Sequence, residues 1–432
     1  MQFLPGVRVA VAALVFGSAA SVASAGVLSI QLGFANSVER DGLTALVNDF
    51  RASNPDVEVR LNLLDTESYR KALPASLDGD AAPDVFNWFA GEQMRGFVQR
   101  GQLDDLGDLW KANNWWTAYA ATVSAATVGG RQFALPYQYY TWGLFSRRDV
   151  LEAAGLREVP KDLSHLITAC SKLRKAGFTP IALAGKDGAA ISAWFDFIDM
   201  RTNGYEFHSQ VLAGKVSYND RDVRRSFGMW KQLVDAQCFA PNATATDARG
   251  AEGLVWQGKA AFLLTGTVVS ATMPESLRSV IDYQRFPSID NVQGPAEAGP
   301  VDSFLVPARA KNKADARRFL KFAGSSAANA KLTKALGSFP ANSNAPVPGT
   351  VLNVASYKVL TDAKSSVVQG YDRDTPAGMS QAGVKAFQDF LAQPGQMYPI
   401  LDRLDAARAS AYTTTVSQET TAAPAVAKTN KR

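Results

Sequence analysis

The chain has 432 residues, 47% hydrophobic and 20% charged, a globular composition with material for two or three domains. Its 45 basic and 40 acidic side chains give a formal charge of +5 and are scattered rather than gathered into a stripe, which argues against a nucleic-acid partner. With only two histidines and two cysteines far apart in the chain, no histidine-rich metal site and no zinc spacing can be assembled, and neither a metal nor a cofactor is expected.

Residues 1–25 read as a cleavable secretory leader: Arg8, an apolar run over 9–20, and the small-residue pattern Ala23-Ser24-Ala25. Gly17, Ser18 and Ser21 interrupt the run well short of the ~20 apolar residues of a membrane span. The first cysteine is Cys170, so no lipid attachment is expected at the processing site, and the product is expected to be soluble in the periplasm. In that oxidising compartment Cys170 and Cys238 either form a disulfide or stay as two buried thiols, and their spacing does not decide between these.

Strands and helices then alternate, the pattern of an α/β sheet protein. Leu28, Ile30 and Leu32 alternate as a strand. Leu43, Leu46, Val47 and Phe50 make one helical stripe, ended by Asn54-Pro55. Val57, Val59 and Leu61 predict a second strand and Asp84 to Trp88 a third, followed by a helix with Met94, Phe97 and Val98 that Gly101 closes. The grammar repeats with a helix carrying Leu163, Leu166, Ile167, Cys170 and Leu173, a stop at Gly177, and a strand over 181–183. Further on come a helix from Asp222 to Ala236, a strand over Ala260 to Leu264 ended by Gly266, a segment from Asp302 to Pro307, and a helix over Ala314 to Ala323. Beyond Tyr412 the Ser, Thr and Ala content predicts a disordered tail.

Motifs for catalysis are missing: there is neither G-x-S-x-G nor H-E-x-x-H. Gly253 to Lys259 imitates the start of a phosphate-binding loop, but Ala260 replaces the required hydroxyl and the segment follows a helix, so it reads as the turn entering a strand. What stands out is tryptophan and tyrosine beside polar residues at strand ends and loops: Trp88, Tyr137, Tyr139, Tyr140, Trp142, Trp194 beside Asp196, and Trp256. Sugars present flat apolar faces and a rim of hydroxyls, so their sites pair aromatic platforms with hydrogen-bonding polar groups. For any single one of these rings, core packing is the ordinary alternative.

Several segments together resemble the maltose-binding-protein-like group (family 1) of extracellular solute-binding proteins of sugar ABC transporters. They are Glu39 through Val59, Ala82-Pro-Asp-Val-Phe-Asn-Trp88 with Gly101 to Leu106, Gly130 to Phe145, Ala154-Gly-Leu156, Ala176 to Ile181, Gln257 to Gly266, and Ala308 to Lys313 with Phe319 to Phe322. Their order and spacing carry the likeness over nearly all of residues 27–410. Departures occur at Phe145-Ser-Arg147, where the family often has Tyr-Asn-Lys, and at Phe262, where it often has Met. Tyr371 to Pro376 looks particular to a sub-branch and either contacts ligand or caps a helix, the cap being the first expectation.

The resemblance implies a two-lobed periplasmic-binding-protein fold (type II): two α/β lobes joined by a hinge, with ligand in the cleft. The implied division is 26–136 and 264–308 in the first lobe, 137–263 and 309–411 in the second, and 412–432 as tail. The implied function is a non-enzymatic, monomeric receptor that captures a mono- or disaccharide or glycoside and hands it to the permease subunits of an ABC importer. The rival readings are a receptor for a non-sugar solute and a secreted glycoside hydrolase. The residues carried over are Asn36 and Glu39 after the first strand, with Glu39 as a hydroxyl acceptor, Trp88 as a platform, and Trp142 and Trp194 stacking from the second lobe. Asp196, Gly266, Thr267 and Asp302 would ring the hydroxyls, all at or just after strand ends, where open α/β sheets bind ligands.

Overall fold

A computed structural model of the protein describes residues 26–186, 188–290, 296–362 and 367–421. The expected leader and residues 422–432 lie outside the described residues.

The first sheet is built from β1 (Leu28–Phe34), β2 (Val59–Asp65), β3 (Val85–Phe89), β4 (Ala134–Tyr139), β9 (Val301–Leu305) and β10 (Phe339–Pro340), in the order β10-β4-β9-β3-β1-β2. β1 runs parallel to β2 and β3, whereas β9 is antiparallel to both β3 and β4. Helices α1 (Ser37–Ser53), α2 (Thr66–Leu77) and α3 (Glu92–Gln99) follow the first three strands. Gly101 ends the α3 segment at φ +68°, in the left-handed region expected of it.

The second sheet, β8-β5-β7-β6, comprises β5 (Trp142–Arg147), β6 (Thr179–Ala182), β7 (Ala260–Gly266) and β8 (Ile281–Gln284). Around it lie α4 (Leu163–Lys175), α5 (Gly188–Asn203), α6 (Tyr205–Leu212) and α7 (Arg221–Asp235). Asp162 caps α4, accepting from the His165 amide at 2.9 Å and holding the exposed His165 ring at 2.7 Å. Cys170 and Cys238 form a disulfide that ties α4 to the chain just after α7, with Cα atoms 5.2 Å apart. Gly258, at φ +68°, turns the chain from a helix ending at Trp256 into β7, so the segment that imitates a phosphate loop has helix–turn–strand order.

Two separate cores define the lobes: one gathers buried residues from Leu28 to Tyr137 and from Phe304 to Ala341, the other from Leu144 to Ala298 and from Leu352 to Leu404. The chain therefore crosses between lobes three times, at 140–141, at 299–300 and between 341 and 351, and these segments are the hinge. This moves two boundaries. Helices α8 (Lys313–Ala323) and α9 (Ser326–Leu336), expected in the second lobe, belong to the first: Phe319 and Phe322 pack edge-on against Phe50, and Leu336 presses on α1 at Gly42. Residues 264–290 and 296–298, expected in the first lobe, belong to the second, because the end of β7 and all of β8 pair with β5 and Val269, Met273, Phe286 and Ala296 are buried in the second core. An amphipathic stripe states that a helix face is buried, not which core buries it.

The second core is completed by α10 (Val351–Asp362), α11 (Ala377–Ala392) and α12 (Met397–Thr421), with one helical turn, Tyr371–Asp374, ahead of α11. α12 continues past Tyr412 to Thr421, where a disordered tail was expected. Tyr412 itself explains part of this: its ring sits against Gly214 and its hydroxyl donates to the Leu212 carbonyl, which anchors the helix to α6.

Candidate functional site: the inter-lobe cleft

The first crossover places Tyr140 and Trp142 at the cleft. Trp142 opens β5 directly opposite Gly266, the last residue of β7. A Cβ on Gly266 would come within 3.0 Å of the Tyr140 ring and 3.3 Å of Trp142 Nε1, so any larger residue there would press both rings out of place by a few tenths of an ångström. Between the lobes they enclose a cavity of about 20 Å³ with Pro300, Asp196, Asp372 and Arg373. This is room for a water molecule, not for a sugar ring.

The far wall is the turn Tyr371–Asp374, and all three of its charged side chains reach into the first lobe. Arg373 donates to Asp302 at 2.6 Å and to the Tyr140 hydroxyl at 2.7 Å. Asp372 receives Arg70 at 3.2 Å and Asp374 receives Arg95 at 2.5 Å, while the Asp372 carbonyl accepts from Gln93 at 2.8 Å. Phe89 is flanked by two guanidiniums, Arg70 at 4.9 Å and Arg373 at 5.0 Å from its ring centre.

The turn is held from behind by the second lobe. The Tyr371 amide donates to Asp196 at 3.0 Å, and Asp196 lies 3.1 Å from His208 Nε2, an ionic contact without hydrogen-bond angles. His208 Nδ1 is 2.8 Å from Asp199, which also accepts from Ser226 and Asn203. Burial pulls the His208 pKa down, but the adjacent carboxylates of Asp196 and Asp199 outweigh this and carry it up to about 9, so the ring is an imidazolium at neutral pH. Burial raises Asp196 in turn. Glu39, half-buried at the start of α1, is pushed up to about 7, chiefly by burial, with the Ala35 amide and Arg373 pulling it down and Asp302 pushing it up. Arg373 is held firmly charged: burial disfavours the cation, but Asp302 and its other neighbours more than offset it.

The residues singled out from sequence divide accordingly. Trp142 and Asp196 line the cavity, Asp302 meets it through Arg373, and Gly266 makes space for its rings. Thr267 is buried behind this wall and its amide donates to the Thr141 carbonyl at 2.9 Å. Asn36 and Glu39 form a capping box on α1: Asn36 Oδ1 accepts from the Glu39 amide at 3.0 Å, and Glu39 reaches back to the Ala35 amide at 2.7 Å. Trp88 is not an open platform. It packs in the first core against Tyr69, Phe89 and Phe97 and is 5% exposed. Trp194 is likewise no platform, being fully buried edge-on to Phe239 and Phe286. It lies two residues before Asp196 on α5, and residues two apart on a helix point in opposed directions, so the helix that aims Asp196 at the cleft turns Trp194 away.

Sequence reasoning counted Tyr140 among the candidate aromatics without giving it a role, and did not place Phe89, Arg70 or Arg373 in the site. The signal for Arg373 was present in Tyr371 to Pro376, where an Asp-Arg-Asp triplet beside a buried tyrosine reads as a solvated cap unless the opposing lobe is known.

Two α/β lobes, three crossovers and a polar, aromatic cleft between them define the class of two-lobed binding proteins that close on a solute. The profile of the bacterial extracellular solute-binding protein family matches residues 35–330, and the chain belongs to that family. It is 20% identical over 338 residues to an uncharacterized ABC transporter extracellular-binding protein of Pyrococcus horikoshii, covering 76% of this chain and 75% of that one. Over 173 residues, 39% of this chain and 41% of the other, it is 25% identical to the osmoprotective compounds-binding protein GgtB of Synechocystis. Among solved structures, a bacterial solute receptor described as preferring β-D-galactopyranose superposes with a TM-score of 0.79 at 23% identity, covering 90% of this chain and 98% of that chain. A chitin oligosaccharide binding protein superposes with a TM-score of 0.81 at 18% identity over 90% of this chain and all of the other.

Proposed function

We propose that the protein is a periplasmic, monomeric receptor that captures a mono- or disaccharide or a glycoside and delivers it to the permease subunits of an ABC importer. The observation that carries this reading is the cleft itself, where the Tyr140 and Trp142 rings stand beside Asp196, Asp302 and Arg373 on opposing lobes. Aromatic faces suit the C–H surface of a sugar, and the carboxylates and guanidinium suit its hydroxyls. The relatives and structural neighbours named for ABC transport or for sugars lend support from outside the chain.

Capture follows from the hinge. The lobes swing apart about the three crossovers to admit a ring, and a solute touching both walls favours the closed form by the difference in its affinity for the two. A micromolar dissociation constant corresponds to about −8 kcal/mol, within reach of a few charge-assisted hydrogen bonds and one stacked ring. The four carboxylates at the cleft support binding over hydrolysis, because each is already engaged: Asp302 by Arg373 and Gln138, Asp196 by the Tyr371 amide and His208, Asp372 by Arg70, Glu39 by the Ala35 amide. A glycosidase needs one carboxylate free as nucleophile or base.

The test is tryptophan fluorescence of the purified protein against D-glucose, D-galactose, maltose, cellobiose and xylobiose, with each hit incubated and assayed for breakdown. Saturable change with intact sugar is expected. Breakdown would overturn the receptor reading, and silence across the panel with a response to a polyol or polyamine would move it to a non-sugar solute.

A further inference from the structure

We propose that Arg373 is a specificity-determining residue of this receptor: it pairs with Asp302 as the lobes close and donates its remaining N–H groups to two adjacent hydroxyl oxygens of the bound sugar. The proposal rests on the receptor reading above.

A guanidinium carries five N–H donors in a planar fork. In Arg373 one goes to Asp302 and one to the Tyr140 hydroxyl, while the group lies 5.0 Å from the Phe89 ring centre and 5.8 Å from that of Tyr140. The head is thus held in one plane at the cavity wall, with donors left over on a group that already lines the cavity. Two adjacent sugar hydroxyls offer the oxygen pair such a fork accepts.

Its attachment is as firm as its head. Tyr371 is fully buried, its amide bonded to Asp196, its hydroxyl within 3.1 Å of Tyr218 and 3.3 Å of the Met379 carbonyl, and its carbonyl accepting from Thr375 at 2.8 Å. The ring fills the space where Gly383 has no side chain; a Cβ there would lie 2.2 Å from it. Arg373 therefore moves with the second lobe, and its bond to Asp302 on β9 exists only when the first lobe arrives. Buried ion pairs of this kind contribute little net stability, which is an unusual choice for a purely structural cap. The ligand class follows from the surrounding charge. Asp302, Asp372 and Asp196 are balanced by Arg373, Arg70 and the His208 imidazolium, so the wall offers no surplus cation to a uronate and suits a neutral sugar.

The experiment compares wild type with Arg373→Met and Arg373→Lys, titrating whichever of D-glucose, D-galactose, maltose, cellobiose and xylobiose binds wild type, together with its monodeoxy analogues and the matching uronate. Wild type is expected to lose about 10- to 100-fold in affinity for the analogues lacking either of two neighbouring hydroxyls. Arg373→Met is expected to bind the parent sugar as weakly as wild type binds those analogues and to discriminate no longer between them, with Arg373→Lys intermediate. Unchanged affinity in Arg373→Met, or wild-type discrimination among its analogues, overturns the proposal while leaving the receptor reading intact. Silence of wild type toward all five sugars overturns the sugar reading, and this proposal with it. Should Arg373→Met fail to fold, the loss of discrimination in Arg373→Lys decides.

Discussion

Two buried groups of charge stand back to back at the cleft, Arg373 with Asp302 and His208 with Asp196 and Asp199, and they are built for different conditions. The first spans two lobes and dissolves into water when they part. The second joins α5 to α6 inside one lobe, and although Asp196 borders the cavity, His208 and Asp199 are fully buried within the lobe, away from the surface that opening exposes. The Tyr371 amide, bonded to Asp196, couples them. The comparison teaches that a buried ion pair tunes affinity where the protein can open it, and sets stability where it cannot.

The largest effects should fall on the fixed group. His208→Ala leaves two buried carboxylates without their counter-ion and is expected to cost about 3–5 kcal/mol in urea unfolding, whereas Arg373→Met, whose partner Asp302 is rehydrated by opening, should shift stability by under about 1 kcal/mol. Equal losses in both would break the distinction. Stability should also fall with pH because of His208. Its folded pKa of about 9 lies above the ordinary histidine value, so its contribution is complete below about 6.5 and is lost as pH rises through 9. Unfolding curves from pH 6 to 9.5 should show this decline in wild type and its absence in His208→Ala.

The two tryptophans of the second lobe sharpen the same contrast at smaller scale. Trp194→Ala empties a fully buried site and should cost about 3–5 kcal/mol of stability. Trp142→Ala, at a partly exposed ring on the cavity, should leave folding nearly intact and weaken sugar binding by at least about tenfold in a fluorescence or calorimetric titration. The smallest effect belongs to Glu39. Its pKa, raised to about 7, makes the closed form prefer the protonated carboxyl, a preference complete below about 4.5 and lost as pH rises through 7. Closure measured by small-angle scattering should therefore favour the closed form as pH falls, and Glu39→Gln should flatten that dependence.

Much of this fold is legible in the residues. The first and third strands and both closing glycines, Gly101 and Gly177, fall within a residue or two of where periodicity and turn chemistry put them, because these signals are local, while the second strand runs four residues past the expected Leu61. Membership of the lobes is not local, which is why α8 and α9 and the segment around β8 were misplaced. In the site, Trp142, Gly266 and Asp302 could be reached from sequence because they sit at strand ends or beside the crossover, whereas Asp196, expected just after a strand, lies in the middle of α5 and reaches the cavity from a helix face. Asn36 and Glu39 carry the N-x-x-E signature of a helix cap as plainly as that of a ligand site, and the cap is what their side chains make. Trp88 and Trp194 illustrate that an aromatic next to a polar residue says nothing of which face it occupies. Arg373 was hidden for a further reason: its partners lie 71 and 233 residues away in the chain.

The central claim is that a sugar draws the two lobes together and leaves intact. Small-angle scattering of the purified protein during titration with the sugar that changes its tryptophan fluorescence tests this directly, with the sugar recovered and analysed afterwards. The account predicts a radius of gyration that falls in step with fluorescence saturation and full recovery of the sugar. Binding with no compaction, or recovery of cleaved products, would contradict it.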